Sequence, residues 1–302
     1  MLKSAPFIMS ITFYILLFSN LIFFTISQFF PELFFEYQTP VALLLIALIG
    51  IPHGAVDHLL FLKKTNRNKT YFYSFYITLL VIYGISWIYF PMISLSLFLI
   101  LSAYHFGQSQ FEKYEVHALI KKVIGFTWGV VILSGLVVFN FKEIQLVLTD
   151  YDELNAFVHL FNFEFFKLTC SLSTVLFILI SLFSLNFVSF VKELIYISLI
   201  GITFLIQPLL LGFALFFIFN HSYTVMRSEY NFLSKYDSHF NLSKFIKALT
   251  PFTLLSILGT SFLYYLSTVG WISISLPFIL LITISSLTFP HAIVMEVFYT
   301  KR

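Results

Sequence analysis

Four histidines stand inside apolar stretches in similar surroundings: His53 in "IPHGA", His105 in "AYHFG", His221 in "FNHSY" and His291 in "FPHAI". Neutral imidazole is a common ligand for iron, zinc and copper. An ionisable group inside a membrane-type segment points to function by default, because its desolvation is costly. One such histidine is readily satisfied by a carbonyl or hydroxyl on a neighbouring helix; four at one depth favour a shared site. Asp57 follows His53 by four residues, about 40° around a regular helix, and is expected to orient that imidazole through its free N–H. Tyr104, beside His105, is expected to hydrogen-bond a ligating histidine or a metal-bound oxygen. Gln108, Gln110, Asn220, Ser222, Tyr223 and Glu229 lie near the same layer; polar helix packing is the role read for most of them, with a hydrogen bond to a ligating histidine or a metal-bound oxygen as the alternative. His58, about 140° from His53, is expected at an interface or behind the site. Glu296 reads as a solvated helix end, and His117, His159 and His239 as surface histidines in loops.

The remaining composition narrows the chemistry. A single cysteine, Cys170, excludes a disulfide framework and a cysteine-rich metal site, so a metal must be held by nitrogen or oxygen. There is no HExxH for a zinc-helix protease, and no HxxxH or HxxHH cluster of the kind used by membrane di-iron desaturases. No lysine lies mid-membrane to carry a retinal Schiff base. Neither a glycine-rich phosphate loop nor a basic–aromatic pattern for nucleic acid is present. What remains is a mononuclear site built from single histidines on separate helices. Such a site suits a metal that activates O₂ beside a lipid-dissolved substrate.

The elements that must position these residues follow from hydropathy. The chain has 302 residues, 59% of them hydrophobic and 10% charged, with a mean hydropathy of +0.94; this is the composition of a polytopic membrane protein. A ruler of about 20 apolar residues per span gives ten spans, near 7–30, 39–62, 71–90, 91–110, 120–141, 165–184, 191–206, 208–227, 248–268 and 271–297. The expected fold is an all-α transmembrane helix bundle forming a single integral-membrane domain over 1–302. The first span is too long for a signal peptide and lacks a small-residue cleavage site, so it is read as retained. Two long apolar runs must be split at Phe90-Pro91 and Gln207-Pro208. Of the 17 Lys and Arg residues, all but Lys142 and Lys167 then fall on one side, among them Lys3, the 63–69 run, Lys301 and Arg302. The positive-inside rule therefore assigns both termini to the cytoplasm. The loop 142–164, with Asp150, Asp152, Glu153 and Glu164, is expected to form a short surface helix. The 41 phenylalanines are read mainly as lipid contact. The four histidines occupy the second, fourth, eighth and tenth spans, which all run in one direction. Each lies roughly 8–14 Å from the inner end of its helix, which puts all four in one layer.

"GIPHGAVDHLL" followed by "AYHFG" and then "NHS" resembles the Brp/Blh family of bacterial and archaeal integral-membrane β-carotene dioxygenases, and the likeness runs through most of the chain. The resemblance implies an Fe(II) enzyme that uses O₂ to cleave the central double bond of β-carotene into two molecules of all-trans-retinal. It also implies a bacterial or archaeal cell membrane as the location, with a rhodopsin as receiver of the retinal. The implied partners are an apolar polyene, O₂ and the bilayer, with no nucleic acid. The family's iron ligands carry over to His53, His105 and His221. The chain departs from the family four residues after His221, where Val225 stands in place of a histidine. His291 as the fourth ligand, a three-histidine site, or divergence from carotene cleavage all fit that departure. A carrier with a buried His/Asp relay and a non-catalytic carotenoid- or retinoid-binding relative are the competing readings.

Overall fold

The computed structural model describes residues 9–149, 151 and 154–300, and no strand occurs among them. Lys3, Asp150, Asp152, Glu153, Lys301 and Arg302 lie outside the described residues. Ten helices are long and apolar enough to cross a membrane. In chain order the helices are α1 (Ile11–Phe29), α2 (Pro31–Thr65), α3 (Lys69–Tyr89), α4 (Pro91–Phe111), α5 (Ala118–Phe139), α6 (Phe141–Thr149), α7 (Asn155–Leu160), α8 (Phe163–Ser184), α9 (Phe187–Ile206), α10 (Leu209–Tyr236), α11 (Leu242–Thr268) and α12 (Leu276–Thr300). Each expected span has its helix, and the breaks fall at Phe90-Pro91 and Gln207-Pro208. The 142–164 loop holds two short helices, α6 and α7, where one was expected. Leu148, Leu154 and Phe157 are buried there, so both helices pack onto the bundle.

The ends of the helices follow local chemistry. Pro31 and Pro91 sit in the first turns of α2 and α4, where a missing N–H has no intrahelical partner to lose. Ser10, Asn68, Asn162, Asn186 and Asn241 cap α1, α3, α8, α9 and α11, each side-chain oxygen accepting from a backbone N–H three residues on. Asn66 ends α2 in the left-handed region at φ 54°.

Packing between spans depends on small residues and a few polar contacts, because lipid removes the hydrophobic drive for helix association. The closest approach is between α4 and α5. A Cβ added at Gly107 would lie 1.8 Å from the Gly125 carbonyl oxygen, and one added at Gly129 would lie 1.8 Å from that of Ala103. Those two contacts bracket His105. Trp87 Nε1 donates to Ser285 Oγ at 2.9 Å, tying α3 to α12, and Asn20 Nδ2 donates to Thr203 Oγ1 at 2.7 Å, tying α1 to α9. Two of the three apolar clusters of the interior flank the histidines, one that includes Ile46, Phe106 and Phe217 and another that includes Val56, Val225, Val294 and Met295. The histidine-bearing segments lie where these two clusters meet.

Candidate metal centre

Two of the four histidine segments depart from regular α-helical winding. In α2 a wide π turn over Ile46–Gly50 is followed by a tight 3-10 turn over Ile51–Gly54, and α-helix resumes at Asp57. In α10 a π turn covers Phe217–Ser222 and contains His221. Such turns re-aim side chains and leave carbonyls off the usual ladder, which is why they collect at functional sites. The Gly50 carbonyl accepts from His53 Nδ1. His105 and His291 lie in regular stretches of α4 and α12.

The four rings meet. Ring centres are separated by 5.2 Å for His53 and His221, 4.6 Å for His221 and His105, 4.8 Å for His105 and His291, and 4.7 Å for His291 and His53. His53 and His105 face each other across this quadrilateral at 6.5 Å, with planes 21° apart. His221 and His291 stand nearly perpendicular to both, at 80–90°. One ring nitrogen each from His53, His105 and His291 lies within 4.8 Å of the others; His221 falls outside that tightest set. All four side chains are buried.

Hydrogen bonding at the outer nitrogens fixes three of the rings. His53 Nδ1 is held by Gly50, His221 Nδ1 lies 3.0 Å from Ser109 Oγ, and His291 Nδ1 lies 2.9 and 3.0 Å from the Asp57 carboxylate oxygens. The opposite nitrogens of His221 and His291, and both nitrogens of His105, are buried with no hydrogen-bond partner. A buried imidazole nitrogen left unpaired is unusual and needs an explanation. Bound metal is one for which the donor set is suited: three rings oriented from behind by an oxygen, as metal-binding histidines usually are, with free nitrogens converging. The residues present therefore fit a metal ion held by imidazole nitrogen alone.

The structure corrects two expectations. Asp57 bonds His291 and not His53, because the 3-10 turn over Ile51–Gly54 and the turn at Ala55–Val56 that lie between them break the 100° per residue assumed for a regular helix. Tyr76 supports it from α3, donating to Asp57 Oδ2 at 3.1 Å. Tyr104 bonds no histidine; its hydroxyl donates to Glu296 Oε2 at 2.6 Å, since the α4 face it occupies turns toward the end of α12. Gln108 and Lys122 donate to the same carboxylate, so Glu296 is an anchored group and not a bare helix end. Gln110 donates to the buried Glu193. His58 lies beside the rings of Tyr73 and Phe252, and His117, His159 and His239 are exposed.

Sequence reasoning missed Gly50, Ser109 and Tyr76. Ser109 carried a usable signal, since it follows His105 by one helical turn and shares its face. Gly54 matters for space: an added Cβ would sit 3.2 Å from His291 Nδ1 and 3.8 Å from Asp57 Oδ2. Phe106 and Phe217 pack against His221, at 4.6 and 5.6 Å between ring centres. Two clefts, of about 720 and 330 Å³, are lined by none of the four histidines.

An all-helical chain with ten apolar spans and a buried four-histidine cluster belongs, by architecture, among polytopic membrane proteins built around an intramembrane centre. Residues 44–299 match the family described as beta-carotene 15,15'-dioxygenase, and the chain belongs to that family. No curated protein and no solved structure matches it.

Proposed function

We propose that the chain is an Fe(II)-dependent dioxygenase that cleaves β-carotene, or a related carotenoid, at its central double bond to give retinal. The observation that carries this reading is the convergence of four imidazole rings from α2, α4, α10 and α12, with unpaired nitrogens on His105, His221 and His291. His53, His105, His221 and His291 would hold the ion, His291 standing in for the histidine that Val225 replaces. Fe(II), when bound there, would supply the electrons that activate O₂, with one oxygen atom going to each aldehyde. Asp57 holds the proton on His291 Nδ1, which leaves the opposite nitrogen as a lone-pair donor. Ser109 and the Gly50 carbonyl orient His221 and His53 in the same sense. Phe106 and Phe217, buried beside the rings, make the surroundings of the centre apolar and limit water there.

Expression in a β-carotene-producing bacterial host tests the proposal. Loss of yellow colour with retinal in the extract is expected, and it is abolished by His53→Ala, His105→Ala or His291→Ala. Persistent colour without retinal, in a host that accumulates the folded protein, overturns the reading. Val225 favours one alternative, a carotenoid-binding relative without catalysis, because it is fully buried in the apolar cluster and offers no ligand. Iron in the purified protein together with intact β-carotene would select that alternative. Absence of any metal would favour a carrier that uses the Asp57–His291 pair as a proton relay.

A further inference from the structure

Among the described residues three acids are buried: Asp57, Glu193 and Glu229. Glu193 is accounted for by Lys113 at 3.0 Å and by hydrogen bonds from Gln110 and Tyr114. Glu229 has no such account. Its side chain is 0% exposed, and neither carboxylate oxygen has a hydrogen-bond partner. Its neighbours one turn away on either side, Val225 and Leu233, belong to an apolar cluster. An unpaired carboxyl in such surroundings is costly and is not retained for packing.

Position suggests what Glu229 answers to. It lies two turns beyond His221 on α10, about 12 Å along the axis. Its stretch of α10 packs against the 3-10 segment carrying His53 and against α4. Four neutral imidazoles neutralise none of the charge of a divalent ion, and no Lys or Arg among the described residues is buried. In a low-dielectric interior two positive charges need two negative ones nearby. Asp57 provides one, and it has no Lys or Arg partner of its own.

We infer that Glu229 is the second counter-charge of the histidine centre, a remote carboxylate that makes the site electrically neutral when a divalent cation is bound. The inference rests on the proposed metal centre and adds to it a positioning and affinity role for a residue that touches neither ion nor substrate. It also explains why a residue so poorly satisfied by protein groups occupies the interior.

The test is a metal titration of the full chain, freed of metal and held in lipid nanodiscs, using Co(II) in competition with a chelating dye. The wild type is expected to bind one Co(II), and Glu229→Gln to bind it about 10–100-fold more weakly, the range for one charge acting on a divalent ion across roughly 12 Å at an effective dielectric constant of about 20. Glu229→Asp keeps the charge and is expected to recover most of the affinity. Metal-free Glu229→Gln is expected to unfold at the same temperature as metal-free wild type or higher, since it removes an unpaired buried carboxyl. Equal Co(II) affinity in wild type and Glu229→Gln overturns the inference and leaves the metal centre standing. Parallel loss of affinity and of metal-free stability also overturns it, because that marks a structural role. A wild type that binds no Co(II) removes the metal centre itself, and the inference with it.

Discussion

The contact between α4 and α5 gives a test whose size can be worked from geometry. An alanine at 129 places its Cβ 1.8 Å from the Ala103 carbonyl oxygen and 2.5 Å from the carbonyl carbon. Ordinary carbon–oxygen contact begins near 3.3 Å, so the two backbones must move apart by roughly 1.5 Å. Overpacking of this kind typically costs about 1–3 kcal/mol, and here the clash is with backbone, which cannot swing aside. His105 lies two residues beyond Ala103 on the displaced helix, with both ring nitrogens unpaired, so its place depends on helix position and on ring packing against His221, His291 and Phe106. A misplacement of about 1 Å is enough to lower a rate about 100-fold. Gly129→Ala is therefore expected to reduce retinal formation by about two orders of magnitude in β-carotene-producing cells, with lowered iron content in the purified protein. Gly135→Ala, six residues along the same helix, is the matched control: nothing lies within 4 Å of its added Cβ, and wild-type activity is expected. Thermal unfolding of both variants separates a moved helix from a lost fold. Wild-type retinal yield from Gly129→Ala would refute the claim that this contact sets the position of His105.

Two further substitutions separate the centre from its supports. Asp57→Asn keeps the shape but loses the charge against His291 and leaves one acceptor oxygen where His291 and Tyr76 use two, and iron affinity measured against a chelator is expected to fall about 10–100-fold, or roughly 1.4–2.7 kcal/mol. Glu193→Gln disturbs a fully buried carboxylate held by Gln110 and Tyr114. Lys113 is half exposed, so little of the loss comes from the ion pair itself. About 1.5–3 kcal/mol for charge-assisted hydrogen bonds is expected to appear as a lower unfolding temperature, with iron affinity per folded molecule unchanged.

The sequence displayed the spans and the breaks between them because both depend on one-dimensional quantities, the length of an apolar run and the place of a proline. The depth of the four histidines was legible for the same reason, since counting residues from a helix end does not require knowing which way a side chain faces. Azimuth was the quantity that failed. Pairing Asp57 with His53 extrapolates 100° per residue across positions 53–57, where the chain leaves a tight 3-10 turn through a further turn at Ala55–Val56 before α-helix resumes. Neither π turn has a local signature in the sequence, because tertiary contacts decide whether one extra residue is accommodated. Tyr76 gave no signal either, as a tyrosine in an apolar span looks like any interfacial aromatic until its partner is known. The meeting of Gly107 with Gly125 and of Gly129 with Ala103 depends on which faces of two helices oppose, and this too needs the third dimension.

The same geometry bears on the valine that interrupts the family pattern. Val225 lies one turn beyond His221 on α10, and Val294 and Met295 lie one turn beyond His291 on α12; all three are completely buried in one apolar cluster with Val56. These residues form a layer immediately beside the histidines, between them and Glu229. A histidine at 225 would bring a polar ring and its hydration into that layer, whereas valine seals it. Under the proposed reading His291 supplies the nitrogen that position 225 gives up, held by Asp57 from the opposite side, and the sealed layer keeps water from competing for the imidazoles. Counter-charge acting across this layer needs no contact, because field lines in an apolar medium are weakly screened. A carboxylate can therefore serve the centre from behind the seal without opening it to water, which is the arrangement that Val225 and Glu229 make together.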